Sequence, residues 1–188
     1  MKKFVWILLL FVSFFSFSQW ENDEIALGFG FGKSNLGGNF SINAKYNLPK
    51  ADEAHAYGPM FRWQRGWSNN VGTDQQSNFN IWGPGAFYHY RFAEVLFAGV
   101  EFEYLSTPFS YTLLAPTSNW VPIFNIGAGY SQSFDFVRVN LGFFYDVIND
   151  DNSPMRPQYF IRQTNEAGEV TRLLPVIYKL QFFFPLGK

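Results

Sequence analysis

Few residues in this chain are suited to covalent chemistry. There are two histidines, His55 and His89, and no cysteine. Without cysteine there is no disulfide framework, Cys-based zinc site, thiolate nucleophile or iron–sulfur cluster. If residues 92–96 form a turn, His89 falls opposite Gly99 and diagonal to Glu101. A His–Glu pair can orient a general base, but the spacing brings no serine beside it, so the chain is read as not an enzyme. His55, in PKADEAHA, reads as a solvated turn residue. Asp146, Asp150 and Asp151 read as an acidic loop, because no glycine-turned ligand ladder follows them. Gly28, Gly30 and Gly32 lack the spacing and the following helix of a dinucleotide fingerprint. No metal and no cofactor is expected.

What remains is charge at regular positions. Lys45, Arg62, Glu101, Glu103, Arg138 and Lys179 each fall between apolar neighbours in an alternating stretch. Successive strand side chains point to opposite faces, so strict alternation is a strand signal. The spacing predicts eight strands, at 25–32, 39–48, 57–64, 82–91, 96–104, 122–130, 137–145 and 176–184. In each, one phase is apolar and uncharged: Ile25, Leu27, Phe29 and Phe31 in the first, and Val176, Tyr178, Leu180, Phe182 and Phe184 in the last. The other phase holds Arg91 and these six charges, and the six are predicted to form a lumen cluster. Pro59, Pro84 and Pro122 interrupt the pattern; each removes a ladder donor and predicts a bulge or a local fray.

Composition decides between burying the apolar phase and turning it outward. The 188 residues include 24 Phe, 10 Tyr and 6 Trp but are only 15% charged, with 14 Lys+Arg against 15 Asp+Glu. Near-neutral charge argues against nucleic acid, and so much aromatic surface argues against disorder. The aromatics are sorted by depth. Tyr46, Tyr57, Tyr88, Tyr90 and Tyr130 lie near one set of strand ends. Trp63, Trp82, Tyr104, Trp120, Tyr145 and Tyr178 lie near the other. Tyr and Trp favour the headgroup level of a bilayer, so these eleven are predicted to form two girdles. The connections alternate short and long, with SNNVGTDQQSN, STPFSYTLLAPTSN and the segment from Ile148 to Val170 all on one side. Short turns on one side and long loops on the other are the outer-membrane pattern. A tilted strand of about ten residues rises roughly 23 Å, close to the ~25 Å apolar band of such barrels.

On these residues, and on the closing strand VIYKLQFFF, the chain resembles small OmpA-like outer-membrane β-barrels of the Bacteroidota type. The closing strand is similar to the terminal signal read by the barrel-insertion machinery, although here the chain runs on from Pro185 to Lys188. The resemblance implies an all-β, antiparallel up-and-down transmembrane barrel. Eight strands are expected; ten result if YFIRQTNEAGEVTRLL joins the wall instead of forming a separate hairpin. It also implies a lumen without a plug, filled by side chains, in which the charges pair. Their alternative role is to line a narrow ion path.

Residues 1–18 carry Lys2 and Lys3, an apolar run from Val5 to Phe17, and Ser16 and Ser18 before a cleavage point. That is a secretory signal peptide, which leaves 19–188 as a single barrel domain in the bacterial outer membrane. The expected role is structural, anchoring or partner-docking, with the protein an accessory subunit of an envelope complex. The expected partners are outer-membrane lipid, the insertion machinery during assembly and an envelope protein at the long loops. Trp67, Phe109, Tyr111, Tyr159 and Phe160 are candidate exposed aromatics there. The competing readings are a soluble lipocalin-like lipid binder, which needs the apolar phase inside, and an envelope-lipid-modifying barrel built on His89.

Overall fold

The computed structural model describes residues 23–34, 37–48, 54–69, 76–92, 95–107, 119–164 and 170–186. The signal peptide expected at 1–18, together with Phe109 and Tyr111, lies outside the described residues. The strands are β1 (Glu24–Ser34), β2 (Gly37–Asn47), β3 (His55–Asn69), β4 (Gln76–Phe92), β5 (Leu96–Thr107), β6 (Asn119–Ser133), β7 (Arg138–Asp146), β8 (Ile161–Thr164), β9 (Val170–Leu174) and β10 (Val176–Pro185). Eight of them close a barrel in the order β1-β10-β7-β6-β5-β4-β3-β2, while β8 and β9 pair only with each other. The segment that left eight or ten strands open is therefore a separate hairpin. All neighbours in the barrel run antiparallel.

The alternation becomes an inside and an outside. Burial switches residue by residue along β5, β7 and β10. The uncharged phase faces out: Phe61, Phe102, Ile126, Leu141 and Phe143 are all exposed. The charged phase faces in, with Lys45, Arg62, Glu101, Glu103 and Lys179 buried. Two apolar clusters share the interior with these charges. One gathers Ile81, Phe97, Leu105, Ile123, Phe144 and Ile177 with Met155 and Tyr159; the other gathers Ala26, Ala56, Met60, Phe87 and Phe183.

Several strands outrun the apolar alternation at the long-loop end. The β3–β4 ladder continues from Trp63↔Trp82 through Arg65↔Asn80 to Asn69↔Gln76. The two ends of the expected loop SNNVGTDQQSN, residues 68–69 and 76–78, are thus strand. Two prolines leave local marks. The β2–β3 ladder ends at Lys45↔Met60, beside Pro59, and the β4–β5 ladder skips Gly83 and Pro84 before resuming in the same register at Gly85↔Glu103. Pro122 sits in an unbroken β5–β6 ladder opposite Tyr104.

Candidate functional site

β5 supplies both carboxylates at the centre of the barrel. Glu101 and Glu103 are two residues apart and so point to the same face. Strands that do not pair with β5 bring the cations across the lumen: Lys45 from β2, Arg62 from β3 and Lys179 from β10. Lys45 Nζ donates to Glu101 Oε1 at 2.5 Å, and Lys179 Nζ donates to Glu101 Oε2 at 2.6 Å and Glu103 Oε1 at 3.4 Å. Arg62 grips Glu103 with two N–H groups, Nε to Oε2 and Nη2 to Oε1, the latter at 2.8 Å. Its Nη1 donates to Ser41 Oγ at 3.2 Å. Gln181 Nε2 donates to Glu101 Oε1 at 3.1 Å. The Lys45 and Lys179 ammonium groups each lie 4.9 Å from a phenyl centroid, of Phe87 and Phe144 respectively. Isolated buried charges are costly, and pairing with hydrogen bonds on several sides offsets that cost.

Five of the six expected cluster members therefore meet. Arg138 does not join them. It stands at the short-turn end of β7, opposite Ser133 and Phe183. That is four residues, about 13 Å of strand, from Gly142, the position that faces Lys179. A second inward pair forms instead where Arg91 Nη2 donates to Glu24 Oε2 at 2.6 Å. Glu24 shares the inward parity of Ala26 and Gly28, which was the available signal for it.

His89 lies opposite Gly99 in the register, and its Nε2 is 2.9 Å from Glu101 Oε1. A Cβ on Gly99 would fall 2.3 Å from His89 Cδ2, so the glycine makes room for the ring. The rings of Phe87, Phe97, Phe144 and Phe183 surround it, with centroids 5.2 to 6.1 Å away. Nδ1 is buried without a partner, and among the described residues no hydroxyl is hydrogen-bonded to this histidine. His55 is not a free turn residue. It begins β3, with Nδ1 2.7 Å from Tyr88 Oη and its ring against Tyr90.

The lumen is plugged, contrary to the expectation from the resemblance. After β7 the chain folds back into the long-loop mouth and forms a 3-10 turn at Arg156–Gln158. Met155, Gln158 and Tyr159 are buried there. Gln158 Nε2 donates to Asn39 Oδ1 at 2.9 Å and to Gln64 Oε1 at 3.1 Å, and Gln64 Nε2 donates to the Pro154 carbonyl at 3.1 Å. Tyr159 is 1% exposed, not a loop-surface aromatic, and its hydroxyl donates to Asp146 Oδ2 at 2.7 Å. Burial, with the Asp146 carboxylate beside it, pushes the Tyr159 phenol above its ordinary range. The acidic loop serves the fold: Asp146 Oδ1 accepts the Asn149 N–H, Asp150 Oδ1 accepts the Asn152 N–H, and Arg156 Nη1 lies 2.5 Å from Asp151 Oδ1. Phe160, next after the plug, is exposed and packs on the outward rings of Phe143 and Tyr178.

The aromatic residues expected in girdles all lie on the outward phase. Trp63, Trp82, Tyr88, Tyr90, Tyr104, Trp120, Tyr130, Tyr145 and Tyr178 are exposed, and Tyr46 and Tyr57 are half-buried. At the long-loop end Trp120 packs edge-on against Trp82 and stacks on Tyr104, at 5.3 and 5.2 Å. Trp67 is half-buried on β3, its ring 2.6 Å from where a Cβ on Gly38 would lie. An eight-stranded barrel with an apolar wall and a plugged, ion-paired lumen is the class of protein these features define. No family model, curated protein or solved structure matches the chain.

Proposed function

We propose that the protein is an integral β-barrel of the bacterial outer membrane, with a structural, anchoring or partner-docking role in the manner of small OmpA-like barrels. One observation carries this reading: the barrel is inverted relative to a soluble one. Its wall exposes Phe102, Ile126, Leu141 and Phe143, while its interior holds Lys45, Arg62, Glu101, Glu103 and Lys179. In water, that wall would leave a continuous apolar surface exposed, and such surfaces drive association. In a bilayer it matches the hydrocarbon, and the lumen charges stay out of lipid. The girdle residues fit the two headgroup levels. A lipocalin-like carrier needs the opposite arrangement, an apolar lumen for its lipid.

The packed lumen favours a scaffold over a pore or an enzyme, because the plug fills the mouth and His89 meets a carboxylate and phenyl rings. Recognition of an envelope partner then falls to the long-loop side. Fractionation tests the membrane reading. The protein should stay with the outer membrane through salt and carbonate washes, need detergent for release, and migrate differently on gels before and after heating. Release into a detergent-free periplasmic extract would overturn it.

A further inference from the structure

The seam where the barrel closes has the fewest paired positions in the wall. The β1–β10 ladder runs from Glu24↔Pro185 to Phe29↔Leu180 and stops, although β1 goes on pairing with β2 to Ser34 and β10 with β7 to Val176. Beyond Phe29 the two strands are bridged by a side chain, Tyr178 Oη donating to the Phe31 carbonyl at 3.2 Å. Gln158 of the plug roofs the gap from inside. The result is a cleft at this seam, lined by Phe29 and Tyr178 and, from the inward phase, by Gly28, Gly30, Asn43, Arg62, Lys179 and Gln181. Counting its open mouth the cleft is about 270 Å³, but its interior takes only about one water-sized group.

Two independent observations bear on what that group is. The first is charge. Among the described residues, Lys45, Arg62 and Lys179 pair with Glu101 and Glu103 alone, so this cluster carries three cations to two carboxylates. His89 cannot lower that excess in either protonation state, and Arg91 and Glu24 cancel each other. The second is an orphaned donor. Asn43 is 5% exposed, lines the cleft, and its Nδ2 is unpartnered; the unpartnered oxygens there, Asn43 Oδ1 and Gln181 Oε1, are acceptors and would turn to a donor such as water. Buried polar groups are rarely left so. The excess can be relieved by proton loss from a lysine or by an anion, and an open donor beside two cations supplies a place for the anion.

We infer that the β1–β10 cleft is a binding site for one small anionic group, a halide or an anionic oxygen of a lipid headgroup. Arg62, Lys179 and the Asn43 amide hold it, and Gly28 and Gly30 leave the space. The inference goes beyond the membrane reading and does not depend on it, because the site is built from lumen side chains.

The test uses Gly28. A Cβ there would meet Gln181 Cγ at 3.4 Å and Asn43 Cβ at 3.5 Å, both ordinary contacts. Gly28→Ala is therefore accommodated, and Gly28→Val fills the cleft. Wild type and both variants are purified in zwitterionic detergent with isethionate as the only anion, and folding is checked by heat-modifiable migration. Chloride is then titrated at constant ionic strength, and its quadrupolar NMR broadening is followed. A parallel arm exposes each protein to zwitterionic and anionic phospholipid and reads retained lipid by native mass spectrometry. The free-ion source predicts saturable broadening in the wild type and about tenfold weaker affinity in Gly28→Val, with Gly28→Ala between. The headgroup source predicts that the wild type keeps anionic lipid selectively and Gly28→Val loses it. Absence of both effects, or effects that persist in folded Gly28→Val, would overturn the site and leave the space to water.

Discussion

Replacing Glu101 by glutamine keeps the shape of the side chain and removes one of two carboxylates from a buried group of three cations. Glu101 accepts from Lys45 at 2.5 Å and Lys179 at 2.6 Å, and it also touches His89 and Gln181. A glutamine oxygen can accept from one ammonium, but its NH₂ group then faces the other. The excess of one positive charge becomes two, with Glu103 the only remaining carboxylate in the group. Removing one partner of a buried ion pair costs about 3–5 kcal/mol, because the other charge is left unpaired. With a urea slope of about 2 kcal/mol per molar, the unfolding midpoint should fall by about 2 M. Unfolding in detergent micelles, followed by tryptophan fluorescence, measures this. A second variant checks the cause. Adding Lys45→Met to Glu101→Gln restores the original charge excess and keeps an unbranched chain over Phe87, so the double variant should regain at least half of the loss. A Glu101→Gln stability within about 0.5 kcal/mol of wild type, or a double variant no more stable than the single, would refute the reasoning.

Gly99→Ala places a methyl 2.3 Å from a His89 ring hemmed in by four phenyl groups. It should cost about 1–3 kcal/mol, and in a denaturation cycle with His89→Ala the double variant should lose less than the sum of the singles. Tyr159→Phe removes the 2.7 Å bond to buried Asp146 and should cost about 1–3 kcal/mol, with faster limited proteolysis within residues 147–160. The same phenol sets an alkaline limit. Its folded value lies above the 10.0 of an ordinary tyrosine, so its contribution is complete below that pH and is lost as pH rises through the folded value. Protease resistance of the plug should therefore persist up to pH 10 and fade above it in wild type, and show no such alkaline step in Tyr159→Phe. Ile126→Arg puts a charge at the middle of the outer wall, at a residue 47% exposed. It should cost about 2–4 kcal/mol for folding into bilayers; a change within about 0.5 kcal/mol would mark that wall as an ordinary wet surface.

The barrel was legible because its wall obeys one rule along every strand. Period two identifies the faces, and the absence of charge from one phase selects the outward one. Even the β4–β5 pairing was readable, since a turn at residues 92–96 places His89 opposite Gly99. Parity gives the face of a side chain but not its height, and this is where Arg138 misled. It shares the inward phase with Lys179, yet strand stagger leaves it near the short-turn end. The plug left no periodic trace. Gln158 finds Asn39 across 119 residues of chain, and Tyr159 is buried because Asp146 stands where its hydroxyl can reach. The polar extension of β3 and β4 was hidden for a related reason: beyond the apolar band the exposed phase turns polar, at Arg65, Asn78 and Asn80, while Phe79 and Ile81 take the inward one, so the apolar phase changes parity.

The ionic centre also bears on how the wall closes. Its anions come from one strand, and its cations come from β2, β3 and β10, so no single hairpin assembles it. In a half-formed sheet each of these charges lacks some of its partners. A slip of one residue in β2 or β10 would swing Lys45 or Lys179 onto the outer wall and draw Ala44 or Tyr178 inward. The cluster thus proofreads register: only the correctly aligned, fully circular sheet neutralises Glu101 and Glu103 together. A barrel whose rim strands pair over only six positions has particular need of such a check, because the ladder at that seam contributes least to holding the ends of the sheet together.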